Sequence, residues 1–238
     1  EYVPAHTTLV VIGDFPADAV EAAIRARFAS WAPARVEPQP DGGPVDFADG
    51  GRTDVYIDPA QANRITAERH GPWLDEPDTI AQREENLLRQ IGYDIVNRRF
   101  DRLSSQASPP FRAAGFGTGD VFEAGRATRL VVDVIEKKWK RALDAAVREY
   151  RRAMKWGFGK GEVAEQVANL RRSVENAAAM AATRNHRSHE AAVMALLSEG
   201  TVPSDPASVL ERFNALAPRI TPKRILAALR REALPLDN

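Results

Sequence analysis

Between Pro77 and Met154 the spacing of apolar residues changes from helical to strand-like and then back to helical. Pro77 to Leu103 carries apolar residues at every third or fourth position, which predicts a long helix with one side in a core. Phe111 to Phe116 and Ala127 to Ile135 read as strands, and helical spacing returns from Trp139 onward. Strands enclosed by long helices predict an α+β fold, with a mostly antiparallel sheet and helices layered on one face.

Apolar residues at helical spacing predict which side chains form the core and where two helices meet at a corner. The residues predicted to face inward are Ile80, Leu87, Ile91, Ile95 and Phe100 in the first long helix, Trp139, Leu143, Val147, Tyr150 and Met154 in the second, and Val163, Val167, Leu170, Val174 and Ala177 in the third. "GFGKGE", from Gly157 to Glu162, joins the last two stripes and predicts a tight helix–helix corner, because Glu162 would repel a phosphate. "GFGTGD", from Gly115 to Asp120, precedes no helix, so no nucleotide site is predicted; its glycines and Gly125 are expected to bend the chain between the strands.

The N-terminal region predicts a small separate unit. Thr7 to Gly13 is a β-branched run typical of a strand, and a helical stripe follows from Val20 through Ile24 to Phe28. Proline and glycine then dominate, as in a linker. The predicted division is a strand–helix segment (1–31), a linker (32–52) and a main domain (53–238) that begins with two short β-like pieces, Asp54 to Ile57 and Arg64 to His70.

Composition excludes several function classes. The 33 basic and 33 acidic side chains cancel, which argues against a nucleic-acid partner selected by overall charge. The chain has no cysteine, so disulfides and thiolate metal sites are excluded. No apolar run approaches the roughly 20 residues of a membrane span.

The four histidines do not form a recognisable metal motif. His186, His189 and Glu190 in "NHRSHE" fall within about one helical turn, but the order is neither H-E-x-x-H nor H-x-x-E-H and a third ligand is unidentified. A solvated helix start is the favoured interpretation. We therefore predict no catalytic residue, no cofactor-binding residue and no metal ligand in this chain.

A basic face surrounds the stripe from Trp139 to Met154. It consists of Lys137, Lys138, Lys140, Arg141, Arg148, Arg151, Arg152 and Lys155. Such helices bind membranes, nucleic acid or partner helices, but a solvated face over a buried stripe is the favoured interpretation. Partner binding is kept as the alternative, because two tryptophans flank the stripe, and nucleic-acid binding is the weaker one.

The sequence also resembles a known enzyme family. "YVPAHTTLVVIGDFPADAVEAAIRARFASW" is similar to the strand and helix that close a catalytic half-domain in insulinase/pitrilysin zinc metallopeptidases, where His6 stands at a usual asparagine. The matching residues are Tyr2, Pro4, Leu9, Val11, Gly13, Asp14 and Val20. "IVNRRFDRLSSQASPPFRAA", "WKRALDAAVREYRRAMKWGFGKGEVAEQVANLRRSVENA" and "ITPKRILAALRREAL" resemble the helices of the following half-domain, so the resemblance covers most of the chain.

The resemblance implies a half-domain of the mitochondrial-processing-peptidase type that is not catalytic. Family members hold zinc through H-x-x-E-H and a later glutamate, upstream of the strand with which this chain begins, so zinc is expected only in the parent chain and this fragment is expected to be inactive. The implied role is to help form a chamber around a peptide or protein substrate, beside the other half-domains. The alternative is a zinc-less relative that serves as a protein-interaction or assembly module. The Ala/Arg-rich composition suggests a bacterial source, and a periplasmic or secreted location is favoured over a cytoplasmic one.

Comparison of the two ends predicts a fragment about one half-domain long that does not begin and end at half-domain boundaries. The C-terminal Leu234-Pro235 corresponds to Val3-Pro4, so the main domain lacks its last strand and helix. Because an orphan strand needs a partner, Thr7 to Gly13 is expected to dock on the edge of the sheet, within one chain or by strand exchange in a homodimer.

Overall fold

The computed structural model describes residues 7–31, 45–48 and 51–236. The chain divides into two compact units. The first comprises Glu1–Gly43 and Ala179–Asp205, and the second comprises Pro44–Ala178 and Pro206–Asn238. Most of the predicted linker (32–52) lies outside the described residues, and the predicted domain boundaries stay a prediction.

Three strands in the second unit form an antiparallel sheet. They are β1 (Arg64–Gly71), β2 (Ala113–Val121) and β3 (Gly125–Asp133), in the order β1-β3-β2. The register pairs Phe116 with Leu130, and Thr66 with Val131. Since β3 is central, β1 and β2 are both edge strands.

Seven α-helices lie within the described residues. They are α1 (Ala17–Phe28), α2 (Ile80–Ser104), α3 (Trp139–Trp156), α4 (Lys160–Ala179), α5 (His186–Glu199), α6 (Pro206–Leu216) and α7 (Pro222–Glu232). The first unit contains α1 and α5, and helices of the second unit cover one face of the sheet. The predicted α+β class, with an antiparallel sheet, is confirmed. Within the described residues, no helix is long and apolar enough to cross a membrane.

Helix α2 forms the centre of the core. Thr79 begins it as an N-cap, since its side chain accepts a hydrogen bond from the backbone N–H of Gln82. The predicted inward residues Ile91, Ile95 and Phe100 are fully buried. Leu87 is only half-buried, and the prediction for Ile80 is wrong, because this first helical residue precedes the covered part of the helix.

Helix α7 packs directly on α2 where Gly92 removes a side chain. A Cβ placed on Gly92 would lie 3.3 Å from both Ile225 Cγ2 and Leu229 Cδ2. Both of these α7 side chains are completely buried. The close packing of α7 on α2 therefore depends on the absence of a side chain at this position.

The predicted strand at Thr7 to Gly13 is wrong. These residues form no strand, and the described ladders join only β1, β2 and β3, so the expected β-pairing of this segment within one chain is also wrong. The following stripe on α1 is half-buried at Val20 and Ile24 and exposed at Phe28. A β-branched run forms a strand only where a neighbour satisfies its backbone groups. Strand exchange in a homodimer stays a prediction.

The β-like piece at Asp54 to Ile57 is likewise not a strand. Val55, Tyr56 and Ile57 are each 83% exposed. The predicted strand at Arg64 to His70 is confirmed as β1, and the one at Phe111 to Phe116 begins two residues later than expected, as β2. The prediction for Asp54 to Ile57 is wrong because this apolar segment pairs with none of the strands in the described sheet.

The buried stripe of α3 is displaced from the predicted one. Its buried residues are Ala142, Ala146, Tyr150 and Ala153, whereas the predicted Trp139 is half-exposed and Leu143 is only half-buried. Three small residues let the helix backbone approach the core closely, and Tyr150 reaches Phe116 on the sheet, with 5.1 Å between ring centroids. Gly157 is the C-cap of the helix and has a positive φ of 74°, a conformation that favours glycine.

A truncation at Leu143 tests this displaced stripe. We expect Leu143→Ala to lower the free energy of unfolding by less than about 2 kcal/mol, below the range of fully buried leucines. Chemical denaturation measures the change. A loss of about 4 kcal/mol would restore Leu143 to the core and contradict the structure.

Candidate functional site

The outer face of the sheet carries a shallow groove along strand β2. Gly115, Gly117 and Gly119 occupy alternate positions on this face, and a Cβ added at any of them would meet no atom within 4 Å. The groove has a volume of about 390 Å³. It is lined by Asn97, Ala114, Gly115, Phe116, Gly117, Thr118, Gly119, Ala127, Arg129 and Val131. These glycines lie inside a strand, so the expectation that they bend the chain between two strands is wrong.

Asn97 of α2 forms hydrogen bonds with the backbone of one residue at the β2 edge. Its Oδ1 accepts a hydrogen bond from the backbone N–H of Phe116 at 2.8 Å, and its Nδ2 donates to the Phe116 carbonyl at 3.1 Å. The backbone groups of Phe116 therefore point away from β3. Because strand residues alternate, those of Ala114 and Thr118 point to the same edge. The groove thus offers a floor without side chains beside main-chain donors and acceptors, which suits an extended peptide.

A polar network supports this strand from the opposite face. Tyr93 Oη lies 2.7 Å from Thr118 Oγ1 and 2.8 Å from Glu232 Oε2, and Thr118 Oγ1 lies 2.8 Å from Thr128 Oγ1. Thr128 Oγ1 also accepts a hydrogen bond from the backbone N–H of Leu234 at 2.8 Å. Burial raises the pKa of both Tyr93 and Glu232. The network joins β2 and the C-terminal segment to the core.

Arg89 extends the network towards Glu76. Its two terminal nitrogens donate to the two Glu76 carboxylate oxygens at 2.6 and 2.7 Å, and this pair lowers the pKa of Glu76. Arg89 Nε is buried without a hydrogen-bond partner. Both carboxylates of the network are engaged by neighbouring side chains, as in a structural network.

Arg99 holds the predicted corner between α3 and α4. Its Nε and Nη2 donate to the two oxygens of Glu162 at 2.7 Å each, and its other contacts are the Glu149 carboxylate at 3.0 Å and the Gly157 carbonyl at 3.1 Å. Glu162 Oε2 also accepts from the backbone N–H of Gly159 at 2.8 Å. The predicted helix–helix corner at "GFGKGE" is confirmed, and its glutamate, Glu162, accepts hydrogen bonds from Arg99.

The described histidines lie on two elements, β1 and α5. His186 is the first residue of α5 and is exposed, as predicted for a helix start, and Asn185 caps this helix by accepting from the Ser188 N–H. His70 lies on β1 with its Nε2 at 2.7 Å from Glu68, and His6 lies outside the described residues. Within residues 7–31, 45–48 and 51–236, no three His, Cys, Asp or Glu side chains are grouped as a metal site would require. The absence of zinc stays a prediction.

The basic face of α3 borders a second groove, of about 590 Å³. It is lined by Asp144, Val147, Arg148, Arg151, Arg152, Lys155 and Trp156. All of these residues belong to one helix. The predicted stripe residue Val147 therefore lies at the border between the core and this surface.

No protein-family profile and no curated protein matches this sequence. Solved structures do match. Over 92% of this chain the periplasmic protease PqqL from Escherichia coli aligns with a TM-score of 0.74 at 18% identity. The chain has the fold of insulinase-family proteases. This fold confirms the resemblance inferred from the sequence, and the chain spans 24% of the PqqL chain.

Two further structures share the fold. A predicted insulinase-family protease from Yersinia pestis aligns with a TM-score of 0.71 at 12% identity, over 92% of this chain and 47% of its own. A mutant of the ferredoxin protease FusC, solved in complex with Arabidopsis ferredoxin, aligns with a TM-score of 0.64 at 15% identity, over 95% of this chain and 25% of its own. The chain is thus similar to a quarter to a half of these proteases.

The groove on β2 was missed from the sequence. Its signal was present as the alternation G-x-G-x-G, which places every glycine of a strand on the same face. Sequence reasoning took the glycines for a bend because glycine usually weakens a strand. A strand that keeps three glycines on one face, beside a buried Phe116 on the other, points to a close approach by another backbone.

Proposed function

We propose that this chain is a non-catalytic half-domain of a zinc metalloendopeptidase and that it holds an extended segment of the substrate at strand β2. The observation that carries the proposal is the glycine-floored groove beside the β2 edge. The fold shared with insulinase-family proteases supports the protease context. The zinc chemistry belongs to another part of the parent protein, and this chain contributes one wall of the substrate chamber.

The geometry of the groove supports a main-chain ligand. A peptide that lies over Gly115 and Gly117 meets no side chains below it. The main-chain groups of Ala114 and Thr118 point to the β2 edge beside this path. Recognition through the backbone is tolerant of sequence, which suits an enzyme that accepts varied peptides. The similar protease FusC was solved with a protein bound to it, which supports a protein or peptide ligand for this chain. A periplasmic location is part of the proposal, supported by the periplasmic protease PqqL.

A second candidate is an interaction or assembly module in a relative without zinc. The exposed run Val55, Tyr56 and Ile57 favours it, because three adjacent large apolar side chains in solvent are typical of a surface that another chain covers. The upstream sequence of the parent gene separates the two candidates: H-x-x-E-H supports the protease, and its absence supports the module.

Filling the groove floor tests the proposed function. We expect Gly117→Val to weaken binding of an uncharged peptide, of about twelve alternating threonine and serine residues, by about tenfold or more, because the new methyl groups occupy the peptide's path. The folded state should become equally stable or up to about 1 kcal/mol more stable, since the site is open and valine suits a strand. Fluorescence anisotropy and chemical denaturation measure the two effects.

Thr66→Val is the matched control for this experiment. Thr66 lies on the same sheet face but on the opposite edge strand, β1. We expect it to leave peptide binding unchanged. Equal weakening by both variants, or undiminished binding to Gly117→Val, would contradict a binding site at β2.

Zinc content and activity form a separate test. We expect the purified chain to contain far less than stoichiometric zinc after dialysis and to leave a quenched-fluorescence peptide uncleaved, because no H-x-x-E-H motif is present. Elemental analysis and a fluorescence assay measure these. Stoichiometric zinc that is lost in a variant carrying His186→Ala and His189→Ala would overturn the prediction.

A further inference from the structure

The surface of α3 that faces away from the core carries a concentrated positive charge. Between Trp139 and Trp156 the helix has six basic and two acidic residues, although the whole chain is neutral. The buried residues Ala142, Ala146 and Tyr150 occupy one face. Asp144, Arg148, Arg151 and Lys155 lie on the opposite face, displaced from these by about half a turn, and Val147 and Trp156 lie at the edges of that face. We name this surface, defined by Asp144, Val147, Arg148, Arg151, Arg152, Lys155 and Trp156, the α3 groove.

Arg148 and Lys155 supply the uncompensated positive charge of the α3 groove. Within the described part of the chain, neither Arg148 nor Lys155 forms an ion pair with a carboxylate. Arg152 lies 3.5 Å from Glu149, but that carboxylate is already bound to the buried Arg99. The lining of the groove comprises four basic side chains and one acidic residue, Asp144. Such a surface attracts an anionic ligand.

One end of the α3 groove is also an aromatic surface. Trp156 is 74% exposed, and the Lys155 ammonium lies 5.0 Å from the centroid of its ring. Exposed tryptophan and arginine are the residues most enriched where protein partners contact each other. A cation beside an exposed indole offers both a charge and an apolar surface to a peptide side chain.

The dimensions of the groove favour a short ligand. From Asp144 to Trp156 the helix rises about 18 Å, the length of roughly five extended residues. Arg148 and Lys155 are separated by about 10 Å along the helix, or about three residues of an extended peptide. A nucleic-acid polymer is disfavoured, since a protein selected for one carries a net basic charge and this chain has none. A membrane is disfavoured, because the small apolar stripe of α3 is buried in the core.

We propose that the α3 groove docks a short acidic segment of a partner protein. This proposal is independent of the peptide groove on β2, because α3 covers the inner face of the sheet and the glycines lie on the outer face. The uncharged peptide used for β2 carries no charge for the α3 groove. Either proposal can therefore be refuted without refuting the other.

The experiment measures binding of a labelled peptide of about eight alternating glutamate and serine residues to the whole chain. A variant with Arg148→Ala and Lys155→Ala is compared with a control carrying Lys160→Ala and Lys223→Ala, which removes the same charge from exposed sites outside the groove. We expect the groove variant to bind about tenfold more weakly and the control to bind within about twofold of the original chain. Raising NaCl from about 50 to about 500 mM should weaken binding by the original chain and hardly affect the groove variant.

Three results would overturn the proposal. The first is no binding of the acidic peptide above that of the same peptide with glutamine in place of glutamate. The second is an equal loss in the groove variant and the control, which would show that only net charge matters. The third is tighter binding of a single-stranded DNA of equal charge than of the acidic peptide, which would identify the surface as a nucleic-acid site.

Discussion

Replacing Arg99 with alanine is expected to lower the free energy of unfolding by about 3–5 kcal/mol, because it leaves two largely covered carboxylates without their buried partner. The Arg99 side chain is only 8% exposed and binds Glu162 through two parallel hydrogen bonds of 2.7 Å. It also contacts Glu149 and the Gly157 carbonyl. One side chain thus connects α2 to the end of α3 and to the start of α4, and nothing in the alanine variant replaces it.

Urea denaturation of Arg99→Ala and of a neighbouring control measures this effect. Arg98→Ala removes a guanidinium one residue away whose side chain is 42% exposed and pairs with Glu165, so a loss below about 1 kcal/mol is expected. Arg99→Lys should recover only part of the stability, because an ammonium group cannot form two parallel hydrogen bonds with Glu162. Equal losses in Arg99→Ala and Arg98→Ala would contradict the structural role of Arg99.

The same pair predicts a dependence on pH. The hydrogen bonds from Arg99 hold the pKa of Glu162 below its ordinary value. A carboxyl group with a lowered pKa in the folded state stabilises the fold above its ordinary pKa, and this contribution is lost as the pH falls through the folded-state pKa. The original chain should therefore lose more stability than Arg99→Ala between neutral and acidic pH. Parallel denaturation curves at the two pH values measure the difference, and an equal loss in both chains would refute it.

The second large effect is expected from Phe100→Ala, at about 3–5 kcal/mol. Phe100 is fully buried in α2 and meets the fully buried Phe111 edge to face, with 6.0 Å between ring centroids. The truncation removes this contact and leaves a cavity between α2 and the start of β2. Thermal or urea denaturation measures the loss.

Phe122→Ala is the matched control for Phe100. Phe122 is 96% exposed in the turn between β2 and β3, so its truncation should change the free energy of unfolding by less than about 0.5 kcal/mol. Phe100→Leu should fall between the two alanine variants, because it leaves a smaller cavity. A loss at Phe100 no larger than that at Phe122 would contradict the placement of Phe100 in the core.

Sequence periodicity predicted the long helices and the class of the fold. In α2 the apolar residues Ile91, Ile95 and Phe100 are large and regularly spaced, and all three are buried as predicted. In α3 the same reasoning chose the wrong stripe, because it gave weight to large residues such as Trp139. The helix instead buries Ala142 and Ala146, whose small size allows a close approach.

The predictions for strands failed where pairing depends on distant parts of the chain. Two segments, Thr7 to Gly13 and Val55 to Ile57, are as β-branched or apolar as β3. Of these three segments, only β3 lies between neighbouring strands and forms a strand itself. The groove on β2 required knowledge of the register, which places three glycines on one open face and Asn97 at the edge. Neither the register nor that contact follows from local propensity.

The most direct test of a non-catalytic, peptide-binding half-domain is a nuclear magnetic resonance titration of the isotope-labelled chain with the uncharged threonine–serine peptide. We predict that the amide signals that shift are those of residues 113–121 and of the Asn97 side chain, while the signals of the peptide itself remain those of an intact molecule. Shifts confined to other parts of the chain would contradict the binding site. New peptide signals from cleavage products would contradict the non-catalytic role.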